Sequence, residues 1–559
     1  MITGWESYQW ERWKNTKKAN IVVSCVVSAF LLVPAISLTR GNTIYVNDDA
    51  PGPIHDGSTW TYAYTDLQDA LDDPCLAGGD AIWVATGTYY PTVLTDPCES
   101  RTAIFQAKNG VAIYGGLTGT EDPATYNLDD RDFEPNKTVL SGDLARNDGP
   151  NQLDNNEENC YHVFYHPDGV GLDDSAVLDG LTITAGNANG LSPHDDGGGM
   201  YNYNSNPTLT NCQLSNNTAS SSGGGMYNYN SDPALTNCQL SNNIASSSGG
   251  GMYNYNSDPL LTNCQLSNNT TSYGGGIYNR NSRSTITNCR LSGNIANSYG
   301  GGIYNLAGSN PNIANCQLSG NSASYGGGIY NYKSEPNIAN CQLSGNSASH
   351  LGGAIRNYTA NPTLTNCTIT GNSASSGGAM ANGYSSSPTV TNCILWGNTA
   401  PIDPQISNYY SSTIVTYSDV QGGHTGAGNI DTDPLFVDAD GRDDTFGTDD
   451  DDLHLLWISP CIEVGDPAGS YSGQLDMDAD YRIRYDNVDI GADEVYPIAG
   501  DFEPDEDIDI IDLATFTTQW LDPPDTDPNS YNSADVNTSD SVDMTDYAII
   551  SYHWLAGAP

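Results

Sequence analysis

Basic side chains are scarce: 18 Lys and Arg stand against 67 Asp and Glu in 559 residues, a net charge of −49. A surface this acidic repels polyanions, which excludes nucleic acid and anionic membranes as partners. Charge of either sign is nearly missing from the middle of the chain. Between Gly197 and Asn398 there are three acids (Asp232, Asp258, Glu335) and five bases (Arg280, Arg283, Arg290, Lys333, Arg356). These are too few and too scattered for a constellation of catalytic carboxylates. Acid is concentrated in the flanks, in TDDDDL (Thr448 to Leu453) and DFEPDEDIDIID (Asp501 to Asp512). Helix-period apolar patterning is lacking too, while Gly, Asn, Ser and Thr abound, a composition that suits turns and short strands. Long apolar runs are absent except for Ile21 to Ile36, which follows Arg12, Lys14, Lys17 and Lys18 and precedes Ser37. That arrangement predicts a secretory signal peptide over residues 1–37, and hence a secreted or cell-surface protein. A retained membrane anchor is the alternative, although the run is short for a span.

What is present is repetition. LTNCQLSNN begins at Leu209 and again at Leu235, 26 residues on. Glycine runs start at Gly197, Gly223, Gly249, Gly274, Gly300, Gly326, Gly352 and Gly377, and one cysteine per unit falls from Cys212 to Cys393, both in steps of 25 to 27 residues. Three asparagine positions also hold through eight units: Asn211 and its equivalents before the cysteine, Asn217 and its equivalents after it, and Asn202 and its equivalents after the glycines. Asparagine tolerates left-handed backbone, so three constant positions predict three corners and three short strands per coil. Leu209 and Cys212 cannot both face inward from one flat strand, which puts a bend at Asn211. Stacked coils place like residues above one another, and no unit can bury itself alone.

A leucine-rich repeat is the rival reading, because Leu209-x-x-Cys212-x-Leu214-x-x-Asn217 fits its phrase. Its return segment is usually helical, whereas SSSGGGMYNYNS has no helical period. A calcium-binding nonapeptide roll needs aspartates that these units lack. Eight cysteines in a secreted chain suggest disulfides. In-register stacking, however, holds neighbouring Cβ vectors parallel, and buried thiols packed as small hydrophobes are the expectation. Cys75 with Cys98 is the better disulfide candidate.

The phrase LSGNSASYGGGIYN (Leu318 to Asn331) resembles repeats of the polymorphic outer-membrane protein type. The longer unit resembles right-handed parallel β-helices of the pectin-lyase-like fold. Upstream, Gly57 to Thr92 looks like the opening of that fold, with Leu67, Ala70 and Leu71 in a capping helix and Ala81 to Ala85 as the first strand. Downstream, NCILWGNTA, TDPLFVDADGRDD, DDLHLLWISPCIEVGD and VDIGADEV resemble the choice-of-anchor Q region. The fold class expected is therefore all-β: a right-handed parallel β-helix solenoid of about 26 residues per coil. The expected segments are 41–196 (cap and irregular first coils), 197–400 (eight regular repeats), 401–498 (last coils and cap) and 499–559 (a separate small domain).

That last domain is a second duplication, GDFEPDEDIDIIDLATFTTQWL and ADVNTSDSVDMTDYAIISYHWL, offset by 34 residues. Oxygen-bearing residues recur at loop positions 1, 3, 5, 7 and 12: Asp501, Glu503, Asp505, Asp507 and Asp512, then Asp535, Asn537, Ser539, Ser541 and Asp546, with Asp509 and Asp543 at position 9. Calcium takes six to eight hard oxygens from a loop of this kind. The pair resembles a type I dockerin, a small α-helical EF-hand-like domain, which implies calcium as cofactor and a cohesin-like scaffold protein as partner. Glu506 and Asp540 stand where such loops usually have glycine. Ile510-Ile511 and Met544-Thr545 stand where cohesin-binding residues are often Ser-Thr.

Pectin-lyase-like folds host lyases and glycosidases, so catalytic groups were sought. Asp173-Asp174, His424 and Arg482-Ile483-Arg484 superficially resemble polygalacturonase residues, but nearly ten coils separate Asp174 from His424. Any site belongs in the acidic flanks, such as His194, Asp195 and Asp196; no catalytic residue is assigned. Binding of polysaccharide or another cell-surface partner is the expected function. A dockerin-borne polysaccharide lyase or glycoside hydrolase, and a structural spacer or adhesin, are the alternatives.

Overall fold

The computed structural model describes residues 41–494 apart from 150–153, 457, 470, 472–473, 479–480 and 484–486. The signal-peptide segment and the whole of 499–559, with its ten oxygen ligands, lie outside the described residues. Among the described residues no helix is long and apolar enough to cross a membrane.

One regular coil shows how the sequence makes the solenoid. From Gly197 the chain runs through strands Met200–Tyr203, Thr208–Thr210, Gln213–Ser215 and Thr218–Ala219 before the next glycine run begins. Four residues with left-handed backbone separate them: Gly197 (φ 70°), Asn204 (51°), Asn211 (51°) and Asn216 (55°). Only glycine and asparagine visit this region readily, which accounts for their abundance. The coil thus has four short strands, not three. The Asn211 position is a corner as expected. Asn202 and Asn217, read as corners from sequence, are instead buried inside the tube, and the corner near Asn217 is its predecessor Asn216.

Strands of successive coils pair in parallel, in register, residue for residue. They build sheets of 13, 12, 10 and 7 strands. Each strand contributes inward side chains that stack on those of its neighbours. Leu209, Leu235, Leu261, Ile286 and Ile313 form one apolar column; Leu214, Leu240, Leu266 and Leu291 a second; Met200, Met226, Met252 and Ile277 a third. The cysteines from Cys212 to Cys393 form a fourth column of buried free thiols. Cys264 Sγ, for example, donates to the Leu235 and Thr262 carbonyls. Cys75 and Cys98, the disulfide candidates, are exposed free thiols.

A short helix, Leu67–Leu71, plugs the N-terminal end with buried Leu67, Ala70 and Leu71, its first turn capped by Asp66. The strand that follows is Ala81–Ala85 as expected, but it is not the first: Thr43–Val46 precedes and pairs with it. At the other end the chain doubles back. Asn392 Nδ2 donates to the Tyr471 hydroxyl (2.7 Å), Asn340 Nδ2 to the Leu475 carbonyl (2.9 Å), and Arg290 pairs with Asp449. Phe446 sits over Gly371, where any Cβ would meet its ring. This return packs on the 12-stranded sheet and on the corner that joins it to the 13-stranded sheet, and none of these contacts reaches the 10-stranded sheet.

Two buried asparagine columns tie the coils together. Asn294 is representative. Its Oδ1 accepts from the Asn269 backbone N–H (3.1 Å) and from Asn269 Nδ2 (2.9 Å). Its Nδ2 donates to the Leu266 carbonyl (2.8 Å) and to Asn321 Oδ1 (3.0 Å). Replacing Asn294 with alanine strands the Asn269 donors, so a loss of about 3 kcal/mol is expected, given ~1–3 kcal/mol per buried unsatisfied group; denaturant titration checks it. The corner at Asn204 has drifted in later coils to Ala307, Lys333, Thr359 and Tyr384, all with positive φ. Thr359 is exposed and β-branched at φ 54°. Thr359→Asn is expected to stabilise by about 1 kcal/mol, read as a higher melting temperature.

Candidate functional site

The open 10-stranded sheet carries the phrase Met-Tyr-Asn-Tyr and its variants. Alternation turns Met and Asn inward and both tyrosines outward. One outward column runs Tyr165, Tyr201, Tyr227, Tyr253, Tyr278, Tyr304, Tyr330 and then Arg356. Seven strand steps at ~4.8 Å make it about 34 Å long. A second column runs Tyr203, Tyr229, Tyr255, Arg280, Leu306, Tyr332 and Tyr358 beside it. A third, Tyr273, Tyr299 and Tyr325, stands on the neighbouring short sheet.

The rings pack on one another. Tyr227 and Tyr253 lie 5.1 Å apart at 3°, Tyr229 and Tyr255 5.0 Å apart at 9°. Farther along, Tyr278–Tyr304 and Tyr304–Tyr330 are edge-to-face. Tyr165, Tyr201, Tyr278, Tyr304 and Tyr330 of the first column are buried among their neighbours, so the half-buried rings of the second and third columns, with Tyr227 and Tyr253, supply the edges and hydroxyls that the surface offers. Both buried Asn columns are inside the tube and offer a ligand nothing. With the amides turned inward, what the face presents is tyrosine, interrupted by Arg280, Leu306 and Arg356. Arg356 fills the slot after Tyr330, half walled in by tyrosines, and burial lowers its pKa. Gly383 makes room for it, since a Cβ there would meet its guanidinium.

At its N-terminal end the face meets two histidines and two aspartates. His162 stacks on Tyr165 at 4.6 Å, and His194 on Tyr161 at 4.9 Å. His162 Nδ1 bonds the Gly197 carbonyl, so it carries the proton; Nε2 accepts from His194 Nδ1, both at 2.9 Å. That chain leaves Nε2 as the basic nitrogen of His194. Asp196 accepts from the Ser222 N–H at 2.7 Å, and burial pushes its pKa up to about 6. Asp195 has one buried oxygen without a partner. Asp195 is the neighbouring carboxylate: its charge adds to the rise of the Asp196 pKa, and it is Asp195 whose charge acts on His194. His194, Asp195 and Asp196 are thus where the sequence reading put them, beside the first regular coil. His162 was missed; only its spacing from the tyrosine of the preceding irregular coil could have signalled it.

The other sequence candidates are not brought together. Asp173 accepts from Ser175, half-buried His424 bonds its neighbour's carbonyl, and Arg482 is buried against Glu494 at 3.7 Å. Nine strand steps separate Val177–Asp179 from Ile414–Thr416, about 43 Å at ~4.8 Å each. Asp232 and Asp258 prove to be turn residues: Asp232 accepts from the Asp258 N–H at 2.6 Å. In the C-terminal return His454 bridges Asp452 (2.6 Å) and Asp478 (3.3 Å), which raises its pKa to about 11 and makes it an ion-paired cation.

Comparison with known proteins agrees with this architecture. The right-handed β-helix region model matches residues 151–297, 216–358 and 302–427, and the dockerin type I domain model matches 499–553. The chain is a right-handed parallel β-helix with a dockerin. No curated protein sequence matches it. Among solved structures, pectate lyase Pel9A aligns with 14% identity over 81% of this chain and 96% of its own, TM-score 0.43. A XylC complex with xylose aligns with 10% identity over 81% and 98%, TM-score 0.39. A rhamnogalacturonan lyase aligns with 12% identity over 71% and 91%, TM-score 0.35.

The inner Asn202 column begins on a histidine. His166 Nδ1 donates to Asn202 Oδ1 (2.8 Å) while Nε2 accepts from the Ala107 N–H (3.3 Å). Burial holds its pKa down to about 4. Unfolded, the ring takes a proton below its ordinary 6.5; folded, it does not until about 4. Its contribution to stability is therefore full above pH 6.5 and is lost as pH falls toward 4. Relative to the native chain, His166→Asn is expected to gain up to about 2 kcal/mol between pH 7 and pH 5, measured by urea denaturation at both pH values.

Proposed function

We propose that this is a secreted or cell-surface protein that binds polysaccharide along its tyrosine face and is held to a cohesin-like scaffold by its dockerin. The observation that carries the reading is the face itself: three tyrosine columns on the side that the C-terminal return leaves uncovered. Tyrosine joins a rigid apolar ring to a hydroxyl that both donates and accepts, which suits sugar hydroxyls. The repeat of one strand step matches a ligand that is itself a repeating polymer. A net charge of −49 disfavours acidic polymers, so a neutral glycan is the ligand class.

Dockerin type I domains bind calcium and cohesins. We assign calcium to the two loops, with Asp501, Glu503, Asp505, Asp507 and Asp512 holding one ion and Asp535, Asn537, Ser539, Ser541 and Asp546 the other. Residues 41–196, 197–400 and 401–498 serve as cap, binding stack and closing segment. The closing segment as a choice-of-anchor Q region, and the units as polymorphic outer-membrane protein-type repeats, belong to the same proposal.

A second reading, a dockerin-borne polysaccharide lyase or glycoside hydrolase, is favoured by one observation, the raised Asp196 carboxyl next to Asp195, whose charge acts on His194. In the third reading, a structural spacer or adhesin, a pure spacer would bind no glycan. One experiment separates the three: retention of the full chain on immobilised neutral and acidic glycans, with new reducing or unsaturated ends counted in calcium and in chelator. Retention without product is expected. Tyr229→Ala with Tyr255→Ala is expected to weaken retention about tenfold or more, as when interface anchors are truncated, with little change in melting temperature. Product that disappears in Asp196→Asn would establish the enzyme instead.

A further inference from the structure

The loop between strands Thr138–Ser141 and Phe164–His166 gathers three carboxylates that nothing in the glycan-binding reading uses. One oxygen each from Asp143, Asp148 and Glu158 lies within 4.8 Å of the others. Asp143 is buried, and its oxygens accept from the Asn147 and Asp148 N–H groups, both at 3.1 Å. Asp148 Oδ2 accepts from Asn159 Nδ2 at 2.9 Å. Its Oδ1, Glu158 Oε1 and Asn159 Oδ1 are buried without any hydrogen-bond donor, and Asn159 is only 1% exposed. Unmet acceptors at a buried site demand a partner.

Among the described residues no Lys or Arg donates to these oxygens. Arg101 is near, but its Nε donates to the Asn159 carbonyl (2.6 Å), its Nη2 donates to the Asn187 carbonyl (2.7 Å), and its guanidinium lies over Tyr161. Arg146, in the loop itself, lies over Tyr90. Among the described residues none of the three carboxylates has an ion pair. The contrast with His454, Asp478 and Asp493 is instructive. There a protonated imidazole neutralises the carboxylates and its nitrogens are already bonded.

We propose that Asp143, Asp148 and Glu158, beside the buried Asn159, bind a hard divalent cation of calcium's class. The donor set is oxygen only and rich in carboxylates, which is what calcium takes. The ion would pin the loop that leads directly into Tyr161 and His162, and so fix the end of the tyrosine face.

The test uses the intact chain, so dockerin sites must be told apart from this one. Arg146 is exposed within the loop and is a trypsin site. Calcium is expected to slow cleavage after Arg146 about tenfold or more in the native chain, and not at all in D148N/E158Q. Isothermal titration of calcium is expected to find one equivalent fewer in that variant. In chelator the variant is expected to melt at or above the native chain, since two like charges are gone. Cleavage after Arg146 that ignores calcium in the native chain overturns the proposal, whether or not the variant folds, and would leave water as the partner of these oxygens. Equal calcium equivalents in both proteins overturn it as well.

Discussion

Everything in this molecule follows from coils stacked in exact register, and the buried amide column from Asn217 to Asn398 is what makes that register specific. Apolar columns alone would tolerate slippage, because one leucine packs on another with little directional preference. An amide does not. Each Asn of this column both accepts from the coil before it and donates to the coil after it, and it also takes up a strand-end carbonyl. A coil shifted by one residue would bury these donors and acceptors unpaired, at a cost comparable to the net stability of a domain. Polar columns inside a tube are therefore a specificity device here, and they explain why so little ordinary hydrophobic bulk suffices.

The same register decides what the surface can be. Side chains placed one strand step apart stand near the spacing at which aromatic rings stack, so tyrosines repeated through the coils become columns in contact rather than separate residues. Stacking uses up ring faces and leaves edges and hydroxyls. Where the column breaks its own pattern the geometry changes with it. Tyr304 turns edge-to-face between its neighbours, next to the third column, and Arg356 ends the run in a slot that Gly383 keeps open.

Much of this was legible in the sequence. The period, the parallel stacking, the buried thiols, the corner before each cysteine and the capping helix Leu67–Leu71 all follow from local rules. The strand count did not, for a physical reason. A constant asparagine has two explanations, a left-handed corner or an inward amide, and both give the same letter. The structure shows that constancy alone does not separate the two. The Asn204 and Asn216 corners accept Thr359 or Gly293 in place of Asn, but the Asn211 corner, whose amides also bond from coil to coil, stays Asn through eight coils like the two buried columns. The C-terminal return was illegible because Asn392–Tyr471 and Arg290–Asp449 join residues far apart in sequence by contacts no period announces. His162 was illegible for the same reason.

A repeated surface has a consequence for chemistry. Catalysis needs different groups converging on one bond, and a ladder offers the same group again and again. Within the regular coils a base and a counter-charge cannot meet, since each strand step repeats the last. Unlike groups converge where repetition stops: at the N-terminal end, where His162, His194, Asp195 and Asp196 meet the first tyrosines, in the loop of Asp143, Asp148 and Glu158 just before it, and in the C-terminal return, where His454 meets Asp452 and Asp478. The first two clusters are joined through Asn159, Cys160 and Tyr161, three consecutive residues. The third is already neutralised by its imidazole, so the groups still free to act lie, among the described residues, at the N-terminal end of the tube.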